Sequence, residues 1–109
     1  MSKFDDFFSG VVDGVKDIAK GDLKSLLDAG REDAEAFLEN SKTQLKRWTE
    51  KLAAGTLDKE EFTDLVEGRV ELAKMFALTQ AGISAARIQR FRDKLIKLVI
   101  DKAFSIFLL

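Results

Sequence analysis

The C-terminal stretch, residues 84–109, constrains the fold of this chain more than any other feature. At 100° per residue, its apolar side chains cover roughly 200° of a helical wheel, whereas a surface helix needs an apolar stripe of only about 100°. One neighbouring helix cannot cover such an arc, so we predict that three others pack around this one. The apolar arc consists of Ile88, Phe91, Leu95, Ile96, Leu98, Val99, Ile100, Ile106 and Phe107. The sequence therefore predicts an all-α fold, an antiparallel bundle of four main helices with a short extra helical turn near residues 22–30.

The composition supports helices and leaves few chemical groups for catalysis. The 109 residues suit one helical domain spanning 1–109, and the absence of proline permits long uninterrupted helices. Cysteine and histidine are both absent, which excludes disulfides, zinc–thiolate sites and a histidine general base. We find no glycine-rich phosphate loop and no Glu-x-x-His pattern for a di-iron site. The adjacent carboxylates Asp5–Asp6 and Glu60–Glu61 would point about 100° apart on a helix, so neither is predicted to be a catalytic pair. The chain is predicted to be a non-enzyme without cofactor, metal site, catalytic residues or evident small-molecule substrate.

The charge of the chain argues against nucleic acid as a partner. The formal net charge is −1 and the sequence pI is about 5.5, whereas domains that bind nucleic acid are usually strongly basic. The N-terminus does not resemble a secretory signal, because it contains the charged residues Lys3, Asp5 and Asp6. No segment approaches the roughly 18 apolar residues of a spanning helix. We predict a cytoplasmic protein, with peripheral attachment to a membrane left open.

Helix signals divide the first half of the chain. Ser2 is predicted to cap a first amphipathic helix, in which Gly10 and Gly14 indicate either a close helix crossing or loose order. Gly30 is expected to end the short turn near residues 22–30, although this turn can also run on into the next helix. Residues 31–54 are predicted to form one helix with a strict heptad seam. The seam consists of Ala34, Leu38, Ser41, Leu45, Trp48 and Leu52.

The clearest turn signal lies between residues 53 and 58. Gly55 is predicted to end one helix, and Asp58 with Glu61 forms the pattern of a capping box for the next. That third helix is expected to continue to a terminator near Gly82, after which Ser84 caps the last helix. Its predicted buried face consists of Phe62, Leu65, Val66, Val70, Leu72, Ala73, Phe76 and Ala77, with Met75 and Leu78 on the opposite face.

Charged residues give further hypotheses about packing. An antiparallel third and fourth helix would pair Glu71 with Lys94 and Glu67 with Lys97, as interhelical salt bridges of up to about 1 kcal/mol each. The remaining cations form a predicted basic patch of Lys74, Arg87 and Arg90. Arg69 and Arg92 fall on otherwise apolar faces. Each is expected either to extend its charged end into water or to enter a buried ion pair or internal polar pocket.

The function predicted from these patterns is structural. Apolar residues at both chain ends exceed what short helices readily cover, so we predict a small interaction protein that self-associates as a homo-oligomer or docks a protein partner. The predicted interaction surface consists of Phe4, Phe7, Phe8, Phe104, Ile106, Phe107, Leu108 and Leu109. The alternative is a peripheral membrane-surface protein that uses the Phe-rich first helix or the basic last helix. A self-contained monomer and an apolar ligand in the bundle core also remain open.

Overall fold

The computed structural model describes residues 2–19 and 24–108, and nearly all of them are helical. The helices are α1 (Lys3–Ala19), α2 (Lys24–Asn40), α3 (Lys42–Ala54), α4 (Lys59–Leu72), α5 (Phe76–Gln80) and α6 (Ala85–Phe107). No strand occurs within the described ranges. The predicted all-α fold is confirmed. Residues 20–23 and Leu109, which the sequence predictions include, lie outside the described residues.

Helix α6 lies at the centre of the fold, and α1, α3 and α4 all pack against it. Its buried face consists of Phe91, Leu95, Val99 and Ala103. The ring of Phe107, near the end of α6, contacts Phe7 near the start of α1. Phe104 contacts Phe62 near the start of α4. Both α1 and α4 therefore run antiparallel to α6, and the prediction that several helices cover the terminal helix is confirmed.

Short-range signals in the sequence set several of the helix ends. The backbone N–H of Asp5 donates to Ser2 Oγ over 3.1 Å. The backbone N–H of Glu61 donates to Asp58 Oδ1 at 2.7 Å, and that of Asp58 donates to Glu61 Oε1 at 3.0 Å, which completes the capping box. Gly55 ends α3 with φ of 78°, a left-handed conformation that suits glycine. These local predictions are confirmed because each depends on residues at most a few positions apart.

Two glycines permit close approach between helices. A Cβ atom added to Gly14 would lie 2.6 Å from Leu98 Cδ1 on α6, so this glycine marks the predicted close crossing of α1 and α6. A Cβ added to Gly30 would lie 2.8 Å from Cε1 of the buried Phe91 ring. Gly30 does not end a helix, because α2 continues through it to Asn40. The described part of the predicted extra turn is therefore the beginning of α2, the second of the two alternatives.

Substituting Gly30 with alanine is expected to destabilise the protein by about 1 kcal/mol. Alanine favours the helix by about 1 kcal/mol, but the rigid Phe91 ring has to move, and overpacking costs about 1–3 kcal/mol. Gly68→Ala is the matched control, because nothing lies within 4 Å of the added Cβ. The control is expected to stabilise α4 by about 0.5–1 kcal/mol. Urea unfolding of both variants measures the difference, and equal effects would contradict the close approach at Gly30.

The predicted helix over residues 31–54 is divided at Ser41. Helix α2 ends at Asn40 and α3 begins at Lys42, so the two halves have different neighbours: α2 packs on α1 and α5, and α3 packs on α6 and α4. The buried seam itself was predicted correctly. Its members Ala34, Leu38, Ser41, Leu45 and Leu52 are all buried, and Trp48 is partly buried against the core.

The predicted third helix is also divided, and this changes which side chains face the core. Helix α4 ends at Leu72, and α5 begins only at Phe76. The break rotates the chain, so Met75 and Leu78 are buried, although they were predicted on the outer face. Leu72 and Phe76 were predicted to face inward and are exposed instead. This reversal creates the surface described next.

Candidate functional site

Two side chains from distant parts of the sequence bind the facing ends of α4 and α5 and so stabilise the break between these helices. The guanidinium of Arg92, on α6, donates through Nη1 to the carbonyl oxygens of Val70 at 2.6 Å and Ala73 at 2.7 Å. The buried carboxylate of Asp33, on α2, accepts from the backbone N–H groups of Ala77 at 2.9 Å and Leu78 at 2.8 Å. A cation therefore binds the C-terminal end of α4 and an anion the N-terminal end of α5, the arrangement that helix dipoles favour.

A third charged side chain stabilises the turn between α2 and α3. Arg69, on α4, donates through Nε to Ser41 Oγ at 2.9 Å and through Nη2 to the carbonyl oxygen of Asn40 at 3.2 Å. Both guanidinium groups thus bind carbonyl oxygens at the end of a helix, and neither pairs with a carboxylate among the described residues. Both side chains are partly exposed, and Arg69 also lines a cleft, as one of the predicted alternatives has it.

These contacts surround a cleft of about 300 Å³ between the C-terminal half of α2 and the α4–α5 break. We call it the α2–α4 cleft. Its inner wall includes Asp33, Phe37, Ser41 and Arg69, and its outer rim includes Leu72, Lys74 and Phe76. The ammonium nitrogen of Lys74 lies 5.6 Å from the centre of the Phe76 ring, within the range of a cation–π contact.

The rim carries the most exposed large apolar side chains in the described part of the chain. Leu72 is 82% exposed and Phe76 is 64% exposed, while Leu65 and Leu108 reach only 37% and 36%. Single exposed leucines are common on protein surfaces. Here two large apolar side chains border one concave site, beside two cationic side chains.

The predicted interaction surface at the chain ends lies mainly inside the protein. Phe4 and Phe7 are buried, and Phe8, Phe104, Ile106 and Phe107 are partly buried against the core. Phe7 and Phe107 are in edge-to-face contact, with ring centres 6.0 Å apart. Leu108 is exposed, and Leu109 is outside the described residues. The two apolar ends largely cover each other across the antiparallel α1–α6 pair, so little of the predicted surface is fully exposed within one chain.

The same packing covers much of the two predicted membrane anchors. The Phe-rich face of α1 and the apolar face of α6 meet each other in the core. Attachment to a membrane surface stays a prediction. Among the described residues, no helix combines the length and hydropathy needed to cross a membrane.

The predicted salt bridges do not form. In the described part of the chain, the ion pair within 4.0 Å is Arg31–Glu35, on the surface of α2. Glu71, predicted to pair with Lys94, accepts instead from Gln89 Nε2 at 2.9 Å. Glu67 lies with Glu71 and Asp93 along a second groove, between α4 and α6, and Lys97 is exposed. The helices are antiparallel as predicted, but α6 is rotated about its axis, so Gln89 and Asp93 approach Glu67 and Glu71.

The predicted basic patch is only partly at the cleft. Lys74 lies on its rim. Arg87 is half-buried in the first turn of α6, where its backbone N–H donates to Ser84 Oγ, and Arg90 is exposed on the same helix. The bond from Arg92 to the Ala73 carbonyl places Lys74 at the same end of the molecule as the start of α6.

Sequence reasoning missed Asp33 and the exposed pair Leu72 and Phe76. The sequence contained one signal for Asp33. Phe37 is a large apolar residue outside the heptad seam, and Asp33 lies one turn before it. A large apolar residue outside the seam indicates that α2 buries a second face, and this second face meets α5.

Within residues 2–19 and 24–108, no group of three carboxylate, histidine or cysteine side chains is arranged to hold a metal ion. Comparisons with protein-family models, curated proteins and solved structures find no match for this chain.

Proposed function

We propose that this chain is a non-enzymatic interaction protein that binds a segment of a protein partner in the α2–α4 cleft. The observation that carries the proposal is the outward position of Leu72 and Phe76 beside a concave site. Exposed large apolar side chains grouped in this way are typical of interaction surfaces. Large apolar anchors that enter pockets also supply most of the binding free energy at protein interfaces.

The cleft is suited to binding without rearrangement. Asp33 and Ser41 in its wall already have hydrogen-bond partners within the chain. In the described residues, no buried side-chain nitrogen or oxygen atom is without a partner. Because these bonds lie within the chain, an apolar group that enters the cleft does not leave Asp33 or the Ser41 hydroxyl without a hydrogen-bond partner, which would be costly.

Of the two predicted functions, self-association and docking of a protein partner, we propose the second. We propose the α2–α4 cleft, in place of the aromatic chain ends, as its surface. The aromatic ends that were expected to drive self-association pack within one chain. We therefore expect a mass of 12.2 kDa in solution, measured by light scattering at two protein concentrations. A stable multiple of that mass would favour the homo-oligomer instead.

Photo-crosslinking from position 72 tests the proposal. A photoreactive benzoylphenylalanine replaces Leu72, and in a second variant it replaces Glu60, an exposed residue in the first turn of α4. In an extract of the cells that make this protein, position 72 is expected to give a defined protein adduct that position 60 does not give. Adding Phe76→Ser to the first variant is expected to reduce that adduct strongly. Identical adducts from both positions, or none from position 72, would contradict the proposal.

A further inference from the structure

From the charges around the cleft, we infer that the segment it binds is acidic as well as apolar. The inference rests on the proposed function and specifies its partner. Arg69 and Lys74 both line the cleft. Asp33 is the one carboxylate among the described lining residues, and both of its oxygen atoms accept backbone N–H groups of α5. An occupant therefore meets two cations and one carboxylate, and both oxygen atoms of that carboxylate already accept hydrogen bonds from the chain.

Arg69 is held in position before any partner arrives. Its bonds to Ser41 Oγ and the Asn40 carbonyl use Nε and Nη2, which leaves the Nη1 group to donate to a further acceptor. A guanidinium fixed in this way loses little conformational freedom when it binds a carboxylate. Lys74 is exposed on the rim beside Phe76, so a carboxylate and an apolar side chain on one short segment can both be bound.

None of the acidic residues of α4 lines the cleft. Glu67 and Glu71 lie on the other flank of the helix, in the groove shared with Asp93. Glu61 accepts from the backbone of Asp58 in the capping box. A symmetric dimer through the cleft would place Arg69 and Lys74 near their own copies, and like charges across an interface are unfavourable. Charge complementarity thus favours a different, acidic segment over a second copy.

A random library of short displayed peptides tests the inference on the full-length protein. We expect the selected peptides to combine aspartate or glutamate with large apolar residues. For a synthetic peptide from the selection, Lys74→Glu is expected to weaken binding at least about tenfold. Lys94→Glu makes the same charge change at an exposed position of α6 outside the lining of the cleft, and is expected to change binding less than about twofold. Raising the salt concentration from about 0.05 M to 0.5 M is expected to weaken binding of the wild type.

The outcomes separate the inference from the proposed function. Selected peptides that are apolar but neutral or basic, and that lose binding in Phe76→Ser, would overturn the acidic partner and leave docking in the cleft intact. Peptides whose binding is unaffected by Phe76→Ser and Leu72→Asp, or a selection that yields no peptides, would overturn both the acidic partner and docking in the cleft.

Vesicles of phosphatidylcholine and phosphatidylserine are tested in parallel. Vesicle binding that depends on Lys74 and Phe76, or a mass that rises with concentration and falls in Leu72→Asp, would assign the cleft to lipid or to a second copy and overturn the inference.

Discussion

Replacing Asp33 with alanine is expected to lower the free energy of unfolding by about 3 kcal/mol, because hydrogen bonds to a charged group contribute roughly 1.5–3 kcal/mol each and do not add fully. Asp33 is only 4% exposed, and its carboxylate accepts the N–H groups of Ala77 and Leu78. Its loss leaves both donors of α5 without their acceptor. For a domain of this size, the expected fall in Tm is roughly 10 °C or more.

Amide hydrogen exchange distinguishes this effect from general destabilisation. In Asp33→Ala, the amides of Ala77 and Leu78 are expected to lose protection before those of the core helix α6. Glu32→Ala is the matched control, since the neighbouring Glu32 is exposed, and it is expected to change stability by less than about 0.5 kcal/mol. If Asp33→Ala matched this control, the carboxylate would not be what holds α5 in place.

Replacing Phe7 with alanine is expected to destabilise the protein by about 4 kcal/mol, in the range for truncating a buried phenylalanine. The Phe7 side chain is 0% exposed and contacts the rings of Phe4 and Phe107, with centres 5.8 Å and 6.0 Å away. Its removal leaves a cavity between α1 and α6. Because a domain of this kind has a total stability of about 5–15 kcal/mol, this one substitution removes roughly a quarter or more of that stability.

Phe76→Ala makes the same chemical change at an exposed position. It is expected to alter the free energy of unfolding by less than about 0.5 kcal/mol, while weakening any binding in the cleft. Urea unfolding of the two variants, with light scattering of each, tests whether the aromatic chain ends belong to the core. If Phe7→Ala instead changed the mass or the binding of a partner without changing stability, the chain ends would be an interaction surface, as the sequence pattern alone predicts.

The sequence led to part of the candidate site. The sequence pattern puts Arg69 and Arg92 on otherwise apolar faces and Lys74 in a basic patch. Their roles were not predictable, because a guanidinium that binds the end of another helix depends on where that helix ends. The Arg69–Ser41 bond joins residues 28 positions apart, and the Asp33–Ala77 bond spans 44.

Only the tertiary structure decided that Leu72 and Phe76 face solvent. Read along the sequence, both residues fit the buried face of one continuous helix, since residues three or four positions apart share a face. That rule holds only while the helix continues. The bonds from Arg92 and Asp33 favour a break at residues 73–75, which turns Met75 and Leu78 inward and the two rim residues outward.

The sequence by itself determined the all-α class, the helix ends that local side chains cap, and the surrounded position of the last helix. These features depend on backbone hydrogen bonds and apolar periodicity within a few residues, as at Asp58, Gly55 and Ser84. The tertiary structure decided the two helix breaks, the mutual burial of the aromatic ends and the α2–α4 cleft. Each of these depends on contacts between segments far apart in the chain, and a local pattern carries no information about which distant group will lie beside it.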